Sequence, residues 1–212
     1  MSGNTLAGRY AAYRRGPEPR SAALTAGLGL WVFMGVATTL FSLFLVAYVM
    51  RMSGSDAVRI ALPWQLWLSS ALLAAGSLAL HRSAVSARGL RLGDTRRWLL
   101  AGGIGALGFL AVQWWAWAAL LAAQVMPAGN PGGSFFYLLT AVHGLHVAGG
   151  IAAWAWTARA AWQPTADLAS LAWRIALCAR YWHFLLAVWA VLFAALAWLT
   201  PEVARFICGV TP

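Results

Sequence analysis

Acidic residues are scarce in this sequence, and lysine is absent from it. Asp and Glu together number 5, and the 15 basic residues are all arginine, so only 9% of the 212 residues are charged. Apolar residues make up 62% of the chain, and the mean hydropathy is +0.71. A soluble domain of this size could not bury so much apolar surface, so the composition excludes that class and indicates a membrane protein. The 14 tryptophans fit the same class, because indole rings anchor at the bilayer interface.

Cysteine is also scarce, with only Cys178 and Cys208 in the chain. Two cysteines are too few for a disulfide framework, and they lack the spacing of a zinc knuckle. The first twenty residues are polar and arginine-rich, with no cleavage site after a short apolar core. We therefore expect the first apolar segment to be retained rather than removed as a signal peptide.

Long apolar segments are what the sequence does contain. A spanning helix needs about 20 apolar residues, and five segments qualify: 24–50, 64–80, 98–122, 135–158 and 178–199. The stretches between them are rich in Gly, Pro, Ser and Asp, as is typical of surface turns. The sequence thus predicts an all-α polytopic membrane protein, a five-helix transmembrane bundle over 24–199. A cytoplasmic tail at 1–23 and a periplasmic tail at 200–212 complete the predicted organisation.

The arginines predict the orientation of this bundle. Five spans place the N-terminus, the second loop and the fourth loop on one side, which holds twelve arginines against three on the other. Because cytoplasmic loops carry the excess of basic residues, the N-terminus is predicted to be cytoplasmic and the C-terminus periplasmic. A net charge of +10 would indicate nucleic acid in a soluble protein, but these arginines lie between apolar segments, so we expect no nucleic-acid partner. The larger set is Arg9, Arg14, Arg15, Arg20, Arg82, Arg88, Arg91, Arg96, Arg97, Arg159, Arg174 and Arg180, and the smaller set is Arg51, Arg59 and Arg205.

Two histidines, His143 and His146, stand three residues apart in a segment without charge. They share one helix face, and together with His183 they would supply three imidazoles to a metal ion. Counting residues from Arg159 places His146 about 20 Å into the membrane, whereas counting from Arg180 places His183 only about 5 Å in. Ligands of one metal lie within a few ångströms of each other, so this difference in depth argues against a metal site.

A proton relay is a second interpretation of these histidines. Intramembrane relays run through Asp, Glu and His side chains, and all five carboxylates here lie in predicted loops or tails: Glu18, Asp56, Asp94, Asp167 and Glu202. The remaining interpretation is structural. A neutral imidazole can hydrogen-bond across helices to Gln113, to a Ser or Thr hydroxyl, or to a backbone carbonyl opened at a glycine.

A second polar group is predicted near the cytoplasmic interface. Arginine, histidine and tryptophan at that level could hold an anionic lipid headgroup, or could simply anchor the helices at the interface. The group comprises His81, Arg82, Arg180, Tyr181, Trp182 and His183.

Several motifs resemble those of one known family. "SFFYLLTAVHGLHVAGG" resembles the signature S-x-F-F-x-L-T-G-x-H-G-x-H-V-x-x-G of subunit III of haem–copper terminal oxidases, and "YWHFLLAVWAVLF" resembles the motif of its last helix. "LWLSSALLAAGSLAL", "FLAVQWWAW" and "LWVFMGVATTLFSLFLVAYV" are similar to its other helices. The motifs occur in the family's order from about residue 30 to residue 199, and five spans match the family's short form.

The resemblance implies an accessory subunit without haem or copper of its own. Such a subunit lies beside oxidase subunits I and II, which carry the haem and copper and reduce oxygen in aerobic respiratory electron transport, and it holds phospholipid between its helices. The implied location is the bacterial inner membrane. The family's motif residues carry a structural rather than a catalytic role, and they fall here on His143, Gly144, His146, Gly150, Trp182 and His183.

This chain departs from the family at four positions where the family usually has a carboxylate. They are occupied by Ala37, Ala116, Ala176 and Leu186. The resemblance therefore predicts a lipid cleft more apolar than usual. A subunit of a quinol-oxidising rather than a cytochrome c-oxidising complex is the nearest alternative, and a stand-alone metalloenzyme using His143 and His146 is a more remote one.

Overall fold

The computed structural model describes residues 19–56, 60–126, 131–163 and 168–209. These ranges contain six helices and no strand, which confirms the predicted all-α class. The helices are α1 (Pro19–Met52), α2 (Gln65–Arg88), α3 (Leu92–Ala122), α4 (Pro131–Ala161), α5 (Leu168–Trp198) and α6 (Pro201–Cys208).

Four helices are long and apolar enough to cross a membrane: Ala23–Met52, Leu92–Ala122, Pro131–Ala161 and Ser170–Trp198. Helix α2 covers residues 65–80 of the predicted segment 64–80 but is not among them. It carries several polar residues that are buried against neighbouring helices, among them Ser69, Ser77 and Ser83. The count of five spans and the orientation both stay predictions. Of the arginines used for the orientation, Arg9, Arg14, Arg15 and Arg59 lie outside the described ranges, as do Glu18 and Asp167 of the proton-relay interpretation.

Helices α2 and α3 form the tightest contact of the bundle. A Cβ atom added at Gly105 would lie 2.8 Å from the Cα atom of Gly76, so the two backbones touch at these glycines. Small residues allow such close approach in lipid, where burying apolar surface gives no net driving force. Ser83 Oγ donates a hydrogen bond to the Thr95 carbonyl at 2.9 Å, and Ser69 Oγ donates to Gln113 Oε1 at 3.3 Å. Ser69 and Ser83 of α2 thus pair with α3.

Helices α3 and α4 run antiparallel, and side-chain donors join them along their length. Trp154 lies against Gly103 and donates from its indole nitrogen to the Leu99 carbonyl at 2.8 Å. Arg96 Nε donates to the Ala161 carbonyl at 2.9 Å, near the basic end of both helices. These bonds fix the level of α4 relative to α3.

Helix α5 begins at Leu168, well before the predicted segment 178–199. The predicted boundary left Arg174 in a loop and Arg180 just inside the span, but both lie well within the helix. Arginine tolerates such positions because its apolar stem can lie along the helix while the guanidinium reaches toward the interface. Trp182 and Trp189 of α5 are fully buried and form the centre of the core.

The predicted C-terminal tail contains the short helix α6. Thr200 caps it by accepting a hydrogen bond from the Val203 amide, and Pro201 occupies the first turn, where no amide donor is needed. Near the end of α1, Arg51 and Asp56 form an exposed ion pair. The hydrogen bond from the Arg51 guanidinium lowers the pKa of the Asp56 carboxyl.

Candidate functional site

His143 lies at the centre of the bundle and is 0% exposed. Its ring stacks on Trp189 at a centroid distance of 5.2 Å and meets the edges of Phe109 at 5.7 Å and Phe41 at 6.2 Å. Within the described part of the chain, neither ring nitrogen has a hydrogen-bond partner. The aromatic cage around His143 therefore joins α1, α3, α4 and α5 by packing alone.

Gln113 was one of the possible hydrogen-bond partners predicted for an imidazole, and the structure places it close to the level of His143. Phe109, one turn before it, contacts His143, and Trp117, one turn after it, donates to Thr140 Oγ1 at 3.0 Å. Gln113 Oε1 accepts from Ser69, however, and its Nε2 has no partner in the described ranges. The predicted hydrogen bond between an imidazole and Gln113 is not observed.

His146 forms its hydrogen bond within its own helix. Its Nδ1 lies 2.8 Å from the Val142 carbonyl; because a carbonyl only accepts, Nδ1 is the donor. The ring packs against Phe33 and Phe41 of α1, at centroid distances of 5.9 and 5.1 Å. The observed hydrogen bond of His146 thus stays within α4, and aromatic contacts join its ring to α1.

The predicted difference in depth between His146 and His183 is wrong. Tyr181 Oη donates to the His146 carbonyl at 3.0 Å, and Gly150 packs against Tyr181 and Trp182. Because of these contacts, the α5 segment around His183 lies at the same depth as the α4 segment from His146 to Gly150. The sequence-based depth was miscounted because Arg180 lies within α5 rather than at its end.

His183 nevertheless lies on a different side of α5 from His143 and His146. Its Nδ1 is 2.7 Å from Ser77 Oγ of α2, and its ring centroid is 5.5 Å from that of His81. Among the described residues, no three His, Cys, Asp or Glu side chains come together as a metal-binding group. The three histidines are thus separated laterally rather than in depth.

The six residues predicted to bind lipid are distributed over several surfaces. His81 and His183 lie between α2 and α5, whereas the Arg82 guanidinium lies over Trp98 of α3 at 5.0 Å. The Arg180 guanidinium lies over Trp31 of α1 at 5.6 Å. Tyr181 faces α4, and Trp182 is fully buried.

A cleft of about 670 Å³ lies between α1, α4 and α5. Its walls are mainly apolar and include Leu30, Phe33, Trp156, Trp173, Arg174 and Tyr181. The Arg174 guanidinium lies over Trp173 at 5.5 Å, and its Nε has no hydrogen-bond partner in the part of the chain described. From the sequence alone, Arg174 was predicted to be only a loop charge. The Trp-Arg pair could be recognised in the sequence, but the predicted fifth span began at residue 178 and left the pair outside the bundle.

The four positions without the family's carboxylate lie within the bundle or at its edge. Ala37 and Ala116 are buried, and Ala176 and Leu186 are half-buried. Ala37 lies one helical turn from both Phe33 and Phe41, the two rings that contact His146. A carboxylate at position 37 would therefore face His146.

Similarity to characterised sequences extends over about half of the chain. It is 30% identical over 129 residues to a probable cytochrome c oxidase subunit 3 of Mycobacterium leprae, covering 59% of this chain and 61% of that protein. It is 31% identical over 105 residues to proteins of the same name from Mycobacterium bovis and Mycobacterium tuberculosis, covering 48% of this chain and 49% of each relative. No protein-family model matches the chain.

These relatives carry the name of the family whose motifs the sequence resembles, and the structure provides the multi-pass helical bundle expected of a membrane subunit. The similarity, over about half of the chain and of these relatives, supports the resemblance to the cytochrome c oxidase subunit III family.

Proposed function

We propose that this chain is a cofactor-free accessory subunit of a proton-pumping haem–copper cytochrome c oxidase in a bacterial inner membrane. The observation that carries the proposal is its similarity to proteins named probable cytochrome c oxidase subunit 3. In this function the chain stabilises the catalytic subunit, and subunits I and II supply the haem and copper.

The proposal includes five transmembrane helices with a cytoplasmic N-terminus. Helix α2 has 24 residues, a length of about 36 Å at 1.5 Å per residue, which exceeds a hydrocarbon core of about 30 Å. Ser69 and Ser83 pair with α3 at two levels, so these two hydroxyls need not contact lipid. The arginine-rich ends of α2, α3, α4 and α5 would then lie together at the cytoplasmic surface.

We further propose that the cleft between α1, α4 and α5 holds an anionic phospholipid. An acyl chain fits its apolar walls, and the Arg174 guanidinium with the neighbouring Trp173 indole is suited to a phosphate. Of the six residues predicted to bind lipid, Tyr181 lines this cleft. Simple interfacial anchoring remains the alternative for Arg180 and Arg82, which lie over Trp31 and Trp98.

Copurification tests the main proposal. An affinity tag on this chain should recover haem- and copper-containing subunits from membranes solubilised in a mild detergent, while untagged membranes give no haem. Oxidation of reduced cytochrome c by that complex would support a cytochrome c oxidase, and oxidation of quinol alone would support the alternative. Recovery of the chain without haem would contradict the proposal.

Lipid analysis of the purified complex tests the cleft separately. Arg174→Gln should reduce the bound anionic phospholipid, whereas Arg97→Gln should not, because Arg97 is exposed on α3 and does not line the cleft. Equal lipid content in the two variants would contradict a headgroup site at Arg174.

A further inference from the structure

The short helix α6 has apolar side chains on its exposed side as well as on its buried side. Pro201 and Ala204 are buried, and the helix packs against α1. Val203, Phe206 and Ile207 are 43%, 87% and 60% exposed. They occupy positions i, i+3 and i+4, so they lie together on one side of the helix. We call this surface, formed by Val203, Phe206 and Ile207, the apolar face of α6.

The two charged side chains of α6 lie along an edge between the buried side and the apolar face. At about 100° per residue, Glu202 and Arg205 both fall within this edge. Their side chains lie 3.7 Å apart, and Arg205 Nε also donates to the Pro201 carbonyl at 3.3 Å. A charged edge beside an exposed apolar face is typical of a helix that lies in a membrane interface.

The arginines and tryptophans of α2 and α5 indicate where the membrane ends. The guanidinium groups of Arg82 and Arg180 each lie over an indole ring, as is usual for side chains at an interface. From Arg180 to Trp198 on α5, and from Arg82 back to Trp64 at the start of α2, the chain rises about 27 Å at 1.5 Å per residue. A hydrocarbon core is about 30 Å thick. Trp64 and Trp198 therefore lie at the opposite boundary of the hydrocarbon.

Other exposed tryptophans lie near the same boundary. Trp64 meets the edge of Trp115 of α3 at a centroid distance of 5.2 Å, and the neighbouring Trp114 is 74% exposed. Indole rings accumulate at the level of the lipid headgroups. Trp198 is 75% exposed, and α6 begins only three residues later, at Pro201. The apolar face of α6 is thus placed beside the interface and continues the exposed apolar surface of α5.

We propose that α6 lies in the membrane interface, with its apolar face inserted into the boundary between the lipid headgroups and the acyl chains. The Glu202–Arg205 edge then faces water. Interfacial helices insert their apolar side about 5–10 Å deep, so α6 anchors the end of α5 at the membrane surface. The proposal rests on the crossing of the membrane by α2 and α5, which is part of the proposed function, and it requires no oxidase partner.

Thiol labelling in open membrane fragments tests the position of the apolar face. Phe206→Cys is compared with Glu202→Cys, each in a chain that also carries Cys208→Ser, because Cys208 is exposed whereas Cys178 is buried. A water-soluble maleimide should label position 206 about tenfold more slowly than position 202, because an apolar environment disfavours the reactive thiolate. Both variants should be labelled fully after denaturation, and Cys208→Ser alone gives the background. Equal rates in the membrane would overturn the proposal.

Photocrosslinking distinguishes lipid from protein on the same face. A photoreactive amino acid replaces Phe206 in one variant and Glu202 in the matched control, both of which are exposed. Mass spectrometry should detect lipid adducts from position 206 and several-fold fewer from position 202. A crosslink from 206 to another subunit or to a second copy of this chain would overturn the proposal, as would the absence of lipid adducts. Neither test requires haem, so a failure to copurify haem contradicts only the proposed oxidase function.

Discussion

The Tyr181 hydroxyl donates a hydrogen bond to the backbone carbonyl of His146 at 3.0 Å, joining α5 to α4 near the middle of both helices. Tyr181 is 7% exposed, and its ring also contacts Phe33 of α1 at 5.9 Å. One side chain thus sets the relative level of three helices. It also places the histidine segment of α4 beside the Tyr-Trp-His segment of α5, two of the segments that resemble subunit III motifs.

Tyr181→Phe should lower the free energy of unfolding only slightly. The His146 carbonyl lies inside a helix, so the tyrosine provides an additional bond rather than an essential one. Interhelical hydrogen bonds in membranes average about 0.6 kcal/mol. Tyr137→Phe should cost more, because Tyr137 donates at 3.0 Å to the Val125 carbonyl, which lies beyond the end of α3. Denaturant unfolding in detergent compares the two, and a larger loss for Tyr181→Phe would contradict this ranking.

His143→Phe should be tolerated, whereas His143→Ala should be destabilising. Both ring nitrogens lack partners among the described residues, so the ring contributes by packing against Phe41, Phe109 and Trp189. Truncating a buried ring to alanine costs about 3–5 kcal/mol in soluble cores. Thermal unfolding in detergent measures both variants. Equal destabilisation by Phe and Ala would show that the imidazole makes a polar contact after all.

Gly105→Ala should separate α2 from α3. The added Cβ would lie 2.8 Å from Gly76 Cα and 3.0 Å from the Leu72 carbonyl, both backbone atoms that cannot turn aside. Overpacking of this kind costs about 1–3 kcal/mol.

Gly35→Ala is the matched control, since no atom lies within 4 Å of its added Cβ. It should be neutral or stabilising by up to about 1 kcal/mol, because alanine has the higher helix propensity. Unfolding of both variants in detergent measures the difference. Similar stabilities would show that the α2–α3 contact is looser than the structure has it.

Ala37→Glu should be less destabilising with His146 present than without it. Ala37 is 3% exposed, and a carboxyl group buried there needs a hydrogen-bonding partner. Its neighbours one turn away, Phe33 and Phe41, both contact the His146 ring, so that ring is within reach.

A double-mutant cycle with His146→Leu measures the coupling between positions 37 and 146. We expect it to be favourable by about 0.5–3 kcal/mol, the range for residues in contact. Additive effects of the two substitutions would show that the Glu side chain does not reach His146. They would also argue that the carboxylate usual in the family at this position does not serve to contact the histidine.

Much of the general architecture could be predicted from the sequence. The central parts of all five predicted spanning segments are helical in the structure. The motif resemblance also agrees with the similarity to named relatives. The helix ends were predicted less well, because Arg174 and Arg180 were interpreted as loop or boundary charges although both lie on α5. Helix α6 was missed even though Thr200 and Pro201 are a recognisable helix start.

The sequence by itself determined the class of this protein, because composition and segment length decide which chains can place their apolar residues in a bilayer. Which side each residue faces was decided only by the tertiary structure. The spanning segments are apolar nearly all round, so periodicity did not distinguish the caged His143 from the exposed His183. Contacts such as Tyr181 with His146 and Ser77 with His183 fix those levels and faces. Such contacts join residues far apart in the chain and arise only when the helices pack.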